Sequence, residues 1–466
     1  MRTNPSVRPW TLLSRGLLLA ASCAAGCGGG THQPSGGGTA YRPVATGDCD
    51  HAPWSPARDV LTSRARPVYV ERPSIAPAPG GSTLLVGNPT IIWGSAPGVG
   101  THPPLVAVPD SADLAGISID RSGRVMAVPG DARLARMWSP RVSVDSGGGP
   151  WALDVIYGGR APGRASFPDD VVDLWYTRFE GGRWSAPERI YADTVMWGDA
   201  VPPLVRLGDT LESIVPTKLG QGGSPRVPLM LLRRARGRWT TDVLPIDGVY
   251  AALAPVPGGL VTAYVTVSRD ARIDHNSLYV SRSTRERAGW STGQLIHSAG
   301  NGNVEDPVLL ARGDSLWLAW IESVLITDPR RNDGATAATR SRDSIGMALS
   351  ADGGRTWRRM PPLPVGGAAN GLFALEHDGG IHLTYRMLGA DRVRQAYAVW
   401  RGTSWRRAEL LDGPEPASHA VLAVVRDTLW IAWGHGVPVR DGVLPILGIV
   451  RRPLRCAAES PGGRRS

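Results

Sequence analysis

Lysine, phenylalanine and cysteine are all scarce in this chain. Lys218 is the only lysine, so arginine carries almost all the positive charge behind a formal net charge of +10. That bias fits a genomic base composition and names no partner. Three Phe stand against 17 Trp, which implies one aromatic reused at an equivalent place. The four Cys and nine His form no cluster with zinc spacing, no glycine-rich loop leads into a helix, and no Gly-x-Ser-x-Gly elbow occurs. No metal or cofactor is therefore expected. The apolar run near the N-terminus is too short to cross a bilayer as a helix.

What the chain does have is turns: 58 Gly and 40 Pro. Gly181-Gly-Arg-Trp184, Gly237-Arg-Trp239, Gly289-Trp290, Ser350-Ala-Asp-Gly-Gly-Arg-Thr-Trp357 and Gly402-Thr-Ser-Trp405 each follow a short alternating strand and precede another. Glycine takes the positive φ that a tight turn needs, and an aromatic just beyond it packs across the hairpin. The recurrence predicts a repeat protein in one closed domain. Six second strands of such units stand out, at Ala152–Tyr157, Leu211–Val215, Leu260–Tyr264, Leu316–Trp320, Ile381–Tyr385 and Leu429–Trp433. Four antiparallel strands per unit make a propeller blade. The region 80–145 has room for at least one more, so an all-β propeller of seven blades is expected, with six or eight as alternatives. The last unit lacks its Trp turn and fourth strand, and the N-terminal strand near Val68–Val70 is expected to supply the missing strand.

Residues 350–357 match S-x-D-x-G-x-T-W and so resemble the Asp-box of sialidase-like, BNR-repeat propellers. The resemblance implies that Ser350, Asp352, Gly354, Thr356 and Trp357 are structural. Sialidases of that family bind the substrate carboxylate with three arginines and use a Tyr activated by Glu together with an Asp acid/base. Their Arg-Ile-Pro motif is absent here, since Arg66-Pro and Arg72-Pro have another pattern. The resemblance therefore leaves two expectations open: a binding platform for a glycan or protein, and a glycoside hydrolase or lyase with Glu322, Tyr385 and Arg386 as catalytic candidates.

Arg2, Arg8 and Arg15 precede Leu17–Cys27, a basic region followed by an apolar run that ends in small residues, the form of an export signal. Ala24-Ala-Gly-Cys27 resembles a bacterial lipobox, with Cys23 as a second candidate for acylation. The expected organisation is a signal over 1–26, a tether over 27–60, the propeller over 61–456 and a tail over 457–466. The expected location is the cell envelope, lipid-anchored and facing the periplasm or the exterior, with no nucleic-acid partner and a monomeric state. Cys49 and Cys456 flank the propeller, and in an oxidising compartment they are expected to form a disulfide at its seam. Arginines crowd the Trp turns, among them Arg183, Arg234, Arg236, Arg238, Arg355 and Arg358. Beside an acyl anchor, that face is expected to meet anionic lipid.

The long inserts are mostly links from second to third strand, and these gather on one face of a propeller. Residues just before the innermost strands are then expected to ring the channel: Trp197, Asp199, Tyr250, Glu305, Asp306, Asn370 and His419. Lys218, Glu322, Arg386 and His435, just after second strands, are expected nearby. Acids, bases and aromatics around a funnel orient a polar ligand.

Overall fold

A computed structural model describes residues 52–59 and, with interruptions, 74–454. The described residues are all-β: seven four-stranded antiparallel sheets, two-stranded extensions aside, and no helix. Six of the sheets, from 138 to 453, carry described cores and have the six marked strands as their second strands. We number them as the first blade (138–195), second (204–247), third (250–298), fourth (302–364), fifth (368–410) and sixth (416–453). The remaining sheet joins Ser74–Ala78, Ser82–Val86, Leu114–Ile119 and Val125–Pro129. Its strand Ser74–Ala78 touches Trp138–Asp145 of the first blade and Pro416–Val425 of the sixth, closing the ring.

Each blade forms because its apolar residues alternate with a period of two, so that both faces of the middle strands are covered by neighbouring blades. In the second blade Leu211–Pro216 is buried throughout, whereas the outer strand Arg238–Asp247 is mostly exposed. The cores lie in the seams. One cluster unites Val261, Val265 and Leu278 of the third blade with Leu316, Leu318 and Trp320 of the fourth; another unites Ile321 and Met347 with Leu383 and Tyr385. Each fully buried Leu, Ile or Val contributes about 1.5–3 kcal/mol, so the seams hold the ring together.

The Trp turns occupy matching places. Trp184 pairs with Phe179, Trp239 with Arg234, Trp290 with Ser283 and Trp405 with Trp400, each at the end of a third strand. Trp239, Trp290, Trp357 and Trp405 then pack into the seam with the preceding blade. In the turn 350–357, Asp352 accepts hydrogen bonds from Arg355 N and Thr356 N, both 2.9 Å, and from Thr356 Oγ1 at 2.6 Å. Ser350 Oγ takes the Gly354 N–H at 2.9 Å. These bonds saturate a carboxylate that the sequence places in a structural role.

The strand that completes the sixth blade is Arg58–Asp59, paired with Ile449 and Gly448. It lies upstream of Val68–Val70, which fall outside the described residues, and upstream of residue 61, where the propeller was expected to begin. The segment just before it supplies the missing tryptophan. Trp54 meets Tyr397 edge-on at 5.1 Å, its indole N–H donates to Glu409 at 2.7 Å, and Ser55 exchanges hydrogen bonds with Arg451 (2.8 and 3.0 Å). Ser185 and Ser291 make the same exchange with Arg178 and Arg282. Cys27, Cys49 and Cys456 lie outside the described residues.

Candidate functional site

In the fourth blade Gly302 pairs with Val324 and Ile326 with Arg340, while Arg312 pairs with Ser315. This register brings the start of the innermost strand, the end of the second and the start of the third to one end of the blade. Glu305, Asp306, Glu322 and Asp343 therefore share that end, and the Trp turns take the other.

A bulge shapes this end in three consecutive blades. The register of the innermost strand shifts between Glu305 and Val308, between Asn370 and Phe373, and between Pro416 and Ala420. An extra residue in one strand frees a turn of backbone and re-aims its neighbours. Asp306 sits at the first shift with φ 48° and Gly371 at the second with φ 69°. The Gly371 N–H donates to the Asp306 carboxylate at 2.7 Å. His419 covers Gly371 so closely that a Cβ there would lie 2.4 Å from its ring. Asp306, Gly371 and His419 thus stitch the fourth, fifth and sixth blades together at the channel mouth.

Other groups at this end are bound in the same way. Arg386 Nε donates to Asn370 Oδ1 at 2.8 Å within the fifth blade. Asp343, which is buried, accepts the Ala369 N–H across the seam between the fourth and fifth blades. Glu322 stands 3.0 Å from His297, whose ring stacks on Trp320 at 5.4 Å. His435 is buried and bonds Asp59 of the closing strand at 2.8 Å. Tyr250 is half-buried at the start of its strand. Tyr385 lies apart from the mouth: it is 1% exposed, deep in the seam between the fourth and fifth blades, and burial pushes its phenol up to about 12. Trp197, Asp199 and Lys218 fall outside the described residues.

The two glutamates are pushed in opposite directions. Burial, then the neighbouring Asp306 and Asp343, raise Glu305 above the usual carboxylate range. Bonding to His297 holds Glu322 below it. A pair split in this way suits acid and base roles when both groups face one substrate. Here the register separates them. Glu305 opposes Ile321 and Glu322 opposes Val304, so the two side chains leave opposite faces of the blade. Glu322 faces the third blade and His297; Glu305 shares a face with Asp343, whose partner Ser323 lies two residues from Ile321. Asp343 and His297 are the mouth residues that sequence reasoning missed. Asp343 sits at the end of a long insert, and His297 on an outer strand, positions without a repeat signal of their own.

No family model matches the chain, and no curated protein matches it. Among solved structures, Trypanosoma rangeli sialidase is similar at 13% identity and a TM-score of 0.38, over 72% of this chain and 56% of that one. An α-L-arabinofuranosidase of Fusarium graminearum is similar at 13% identity and a TM-score of 0.42, over 68% of this chain and 93% of that one. Kuenenia stuttgartiensis hydrazine synthase is similar at 11% identity and a TM-score of 0.43, over 80% of this chain and 94% of that one. The chain spans a little over half the length of the sialidase chains it matches. At such identities a likeness assigns no activity; the sheets themselves establish the β-propeller.

Proposed function

We propose that the channel mouth is a rigid recognition platform for a glycan or a protein segment, carried by a lipid-anchored protein of the bacterial envelope. The supporting observation is that the polar groups at the mouth already hold the blades in place. Asp306 binds Gly371, Asp343 binds Ala369, Arg386 binds Asn370 and Glu322 contacts His297. Groups fixed by their neighbours lose little freedom when a ligand arrives, which favours binding. The mouth is rich in carboxylates, so hydroxyl-bearing or amine-bearing ligands suit it better than acidic sugars. A glycan array probed with the full chain tests this: saturable binding to neutral or amino sugars is expected, and binding confined to sialylated glycans refutes it.

A glycoside hydrolase is the second reading, and the raised Glu305 favours it as a proton donor, with Asp343 on the same face. A panel of fluorogenic glycosides separates the two. Turnover abolished by Glu305→Gln supports the enzyme, and binding without turnover supports the platform. The anchor is tested by metabolic labelling with a palmitate analogue, where label lost in Cys27→Ser supports it and an unlabelled protein refutes it.

A further inference from the structure

The seams on the turn face are not filled alike. Between the third and fourth blades the long turn closes the gap: a Cβ on Gly354 would come within 3.1 Å of Leu316 and 3.2 Å of Val261. The Gly353 N–H of this turn donates to the Asp314 carbonyl at 2.8 Å, and a Cβ on Gly353 would lie 3.7 Å from the Arg282 guanidinium. The seam between the first and second blades has the same parts without that filler. Arg178 takes the place of Arg282, since each offers its N–H to the serine after a Trp turn, Ser185 at 3.0 Å and Ser291 at 2.9 Å. Asp209 follows Gly208 (φ 60°) as Asp314 follows Gly313 (φ 60°). The Trp turn differs: Arg234 pairs directly with Trp239, which leaves the turn two residues shorter than 350–357 and without a carboxylate.

A cavity of about 220 Å³ remains, lined by Arg178, Arg206, Arg234 and Arg236 together with Asp209 and Leu211. Asp154, fully buried, anchors two of these arginines: it accepts from Arg178 at 3.1 Å and from Arg206, and also from the Tyr176 hydroxyl at 2.6 Å. Arg234 lies over the Tyr176 ring at 4.5 Å, and its Nε is buried with no hydrogen-bond partner among the described residues. Arg178 also donates to the exposed Glu180 at 3.1 Å. Four guanidinium charges therefore face the carboxylates of Asp154, Asp209 and Glu180, which leaves an excess of one positive charge in a partly open cavity. Guanidinium forks held in place by a buried acid and an aromatic face suit a tetrahedral oxyanion with two or more acceptor oxygens.

We propose that this cavity is a binding site for a phosphoryl group. The group reaches it on a soluble phosphate ester or on an anionic lipid headgroup. It is independent of the channel mouth, which lies at the other end of the blades.

The test uses the full chain in two arms: calorimetric titration with inorganic phosphate, and sedimentation with phosphatidylcholine vesicles with and without phosphatidic acid. Saturable binding is expected in at least one arm, weakened about tenfold by Arg234→Gln and by Arg236→Gln, as loss of one charge-assisted contact predicts. Arg236 is exposed, so its variant keeps the fold, and Arg183→Gln, an exposed arginine outside the lining, is expected to bind as the parent does. Phosphate binding lost in the two variants identifies a soluble ligand; binding only to phosphatidic acid vesicles, lost in the same variants, identifies a lipid. Absence of binding in both arms overturns the proposal, as does binding that Arg183→Gln reduces as much as Arg234→Gln.

Discussion

Replacing Trp54 with alanine tests how the sixth blade is completed and joined to the fifth. Its indole packs edge-on against Tyr397, donates to Glu409 at 2.7 Å and stacks beneath Arg452 at 4.3 Å. Arg452 is 1% exposed, lies 4.6 Å from the Tyr397 ring, and is paired with Glu409 at 2.9 Å. The half-buried ring contributes about 1.5–3 kcal/mol of apolar burial. The hydrogen bond to a carboxylate is worth about 1.5 kcal/mol and the cation-π contact about 1 kcal/mol. These terms share partners and do not add fully, so a loss of about 3–4 kcal/mol is expected. Equilibrium denaturation, monitored by circular dichroism, reads this directly. Trp54→Phe keeps part of the packing and loses the hydrogen bond, so it is expected to fall between the parent and Trp54→Ala. A loss under about 1 kcal/mol in Trp54→Ala refutes the claim that this segment secures the sixth blade against the fifth. Truncation before residue 60 goes further: it bares the edge of Gly442–Pro453, and concentration-dependent association is expected in light scattering.

Three further outcomes follow from the geometry. Gly371→Ala brings a Cβ against His419 at a residue with φ 69° and is expected to cost about 2–3 kcal/mol; adding His419→Ala restores the part due to the clash, as paired melts will show. Against the opposing pull of burial, the bonds from Thr356, Ser350 and Arg355 draw Asp352 down to about 2. Its folded value lies below the unfolded one, so its stabilisation is present above about pH 4 and is lost as pH falls towards the folded value. Asp352→Asn should thus differ most from the parent at neutral pH and converge with it in acid; a gap independent of pH refutes the assignment. Glu305 is shifted the other way by burial, so its charge opposes folding. Glu305→Gln is expected to be more stable than the parent at pH 7, an advantage that disappears below about pH 4, where the carboxyl is protonated in both states.

Much of the architecture was legible because its signals are local. The alternation of Leu316-Trp-Leu-Ala-Trp320 and the glycines before Trp184, Trp239 and Trp405 declare strand and turn within a dozen residues. All six marked second strands hold that position in their blades. The closing strand was misplaced because its partner lies almost the whole chain away, and two residues of strand carry no periodicity. A signal did exist, since Trp54-Ser55 repeats Trp184-Ser185 and Trp290-Ser291. The site was legible by position only. Glu305, Asp306, Glu322, Asn370, Arg386, His419 and His435 lie at the end of their blades opposite the Trp turns. Tyr385 sits one residue before Arg386, and the period of two turns it into the core.

Sequence alone determined that this is a ring of small antiparallel sheets with its turns on one face and its inserts on the other, because strand period and turn chemistry are properties of neighbouring residues. Only the tertiary structure decided which acids are shared between blades, that Glu305 and Glu322 face different seams, and that Trp54 fills the seam between the fifth and sixth blades. Those outcomes depend on register, bulges and the meeting of distant segments, where one residue of slip reverses every side chain.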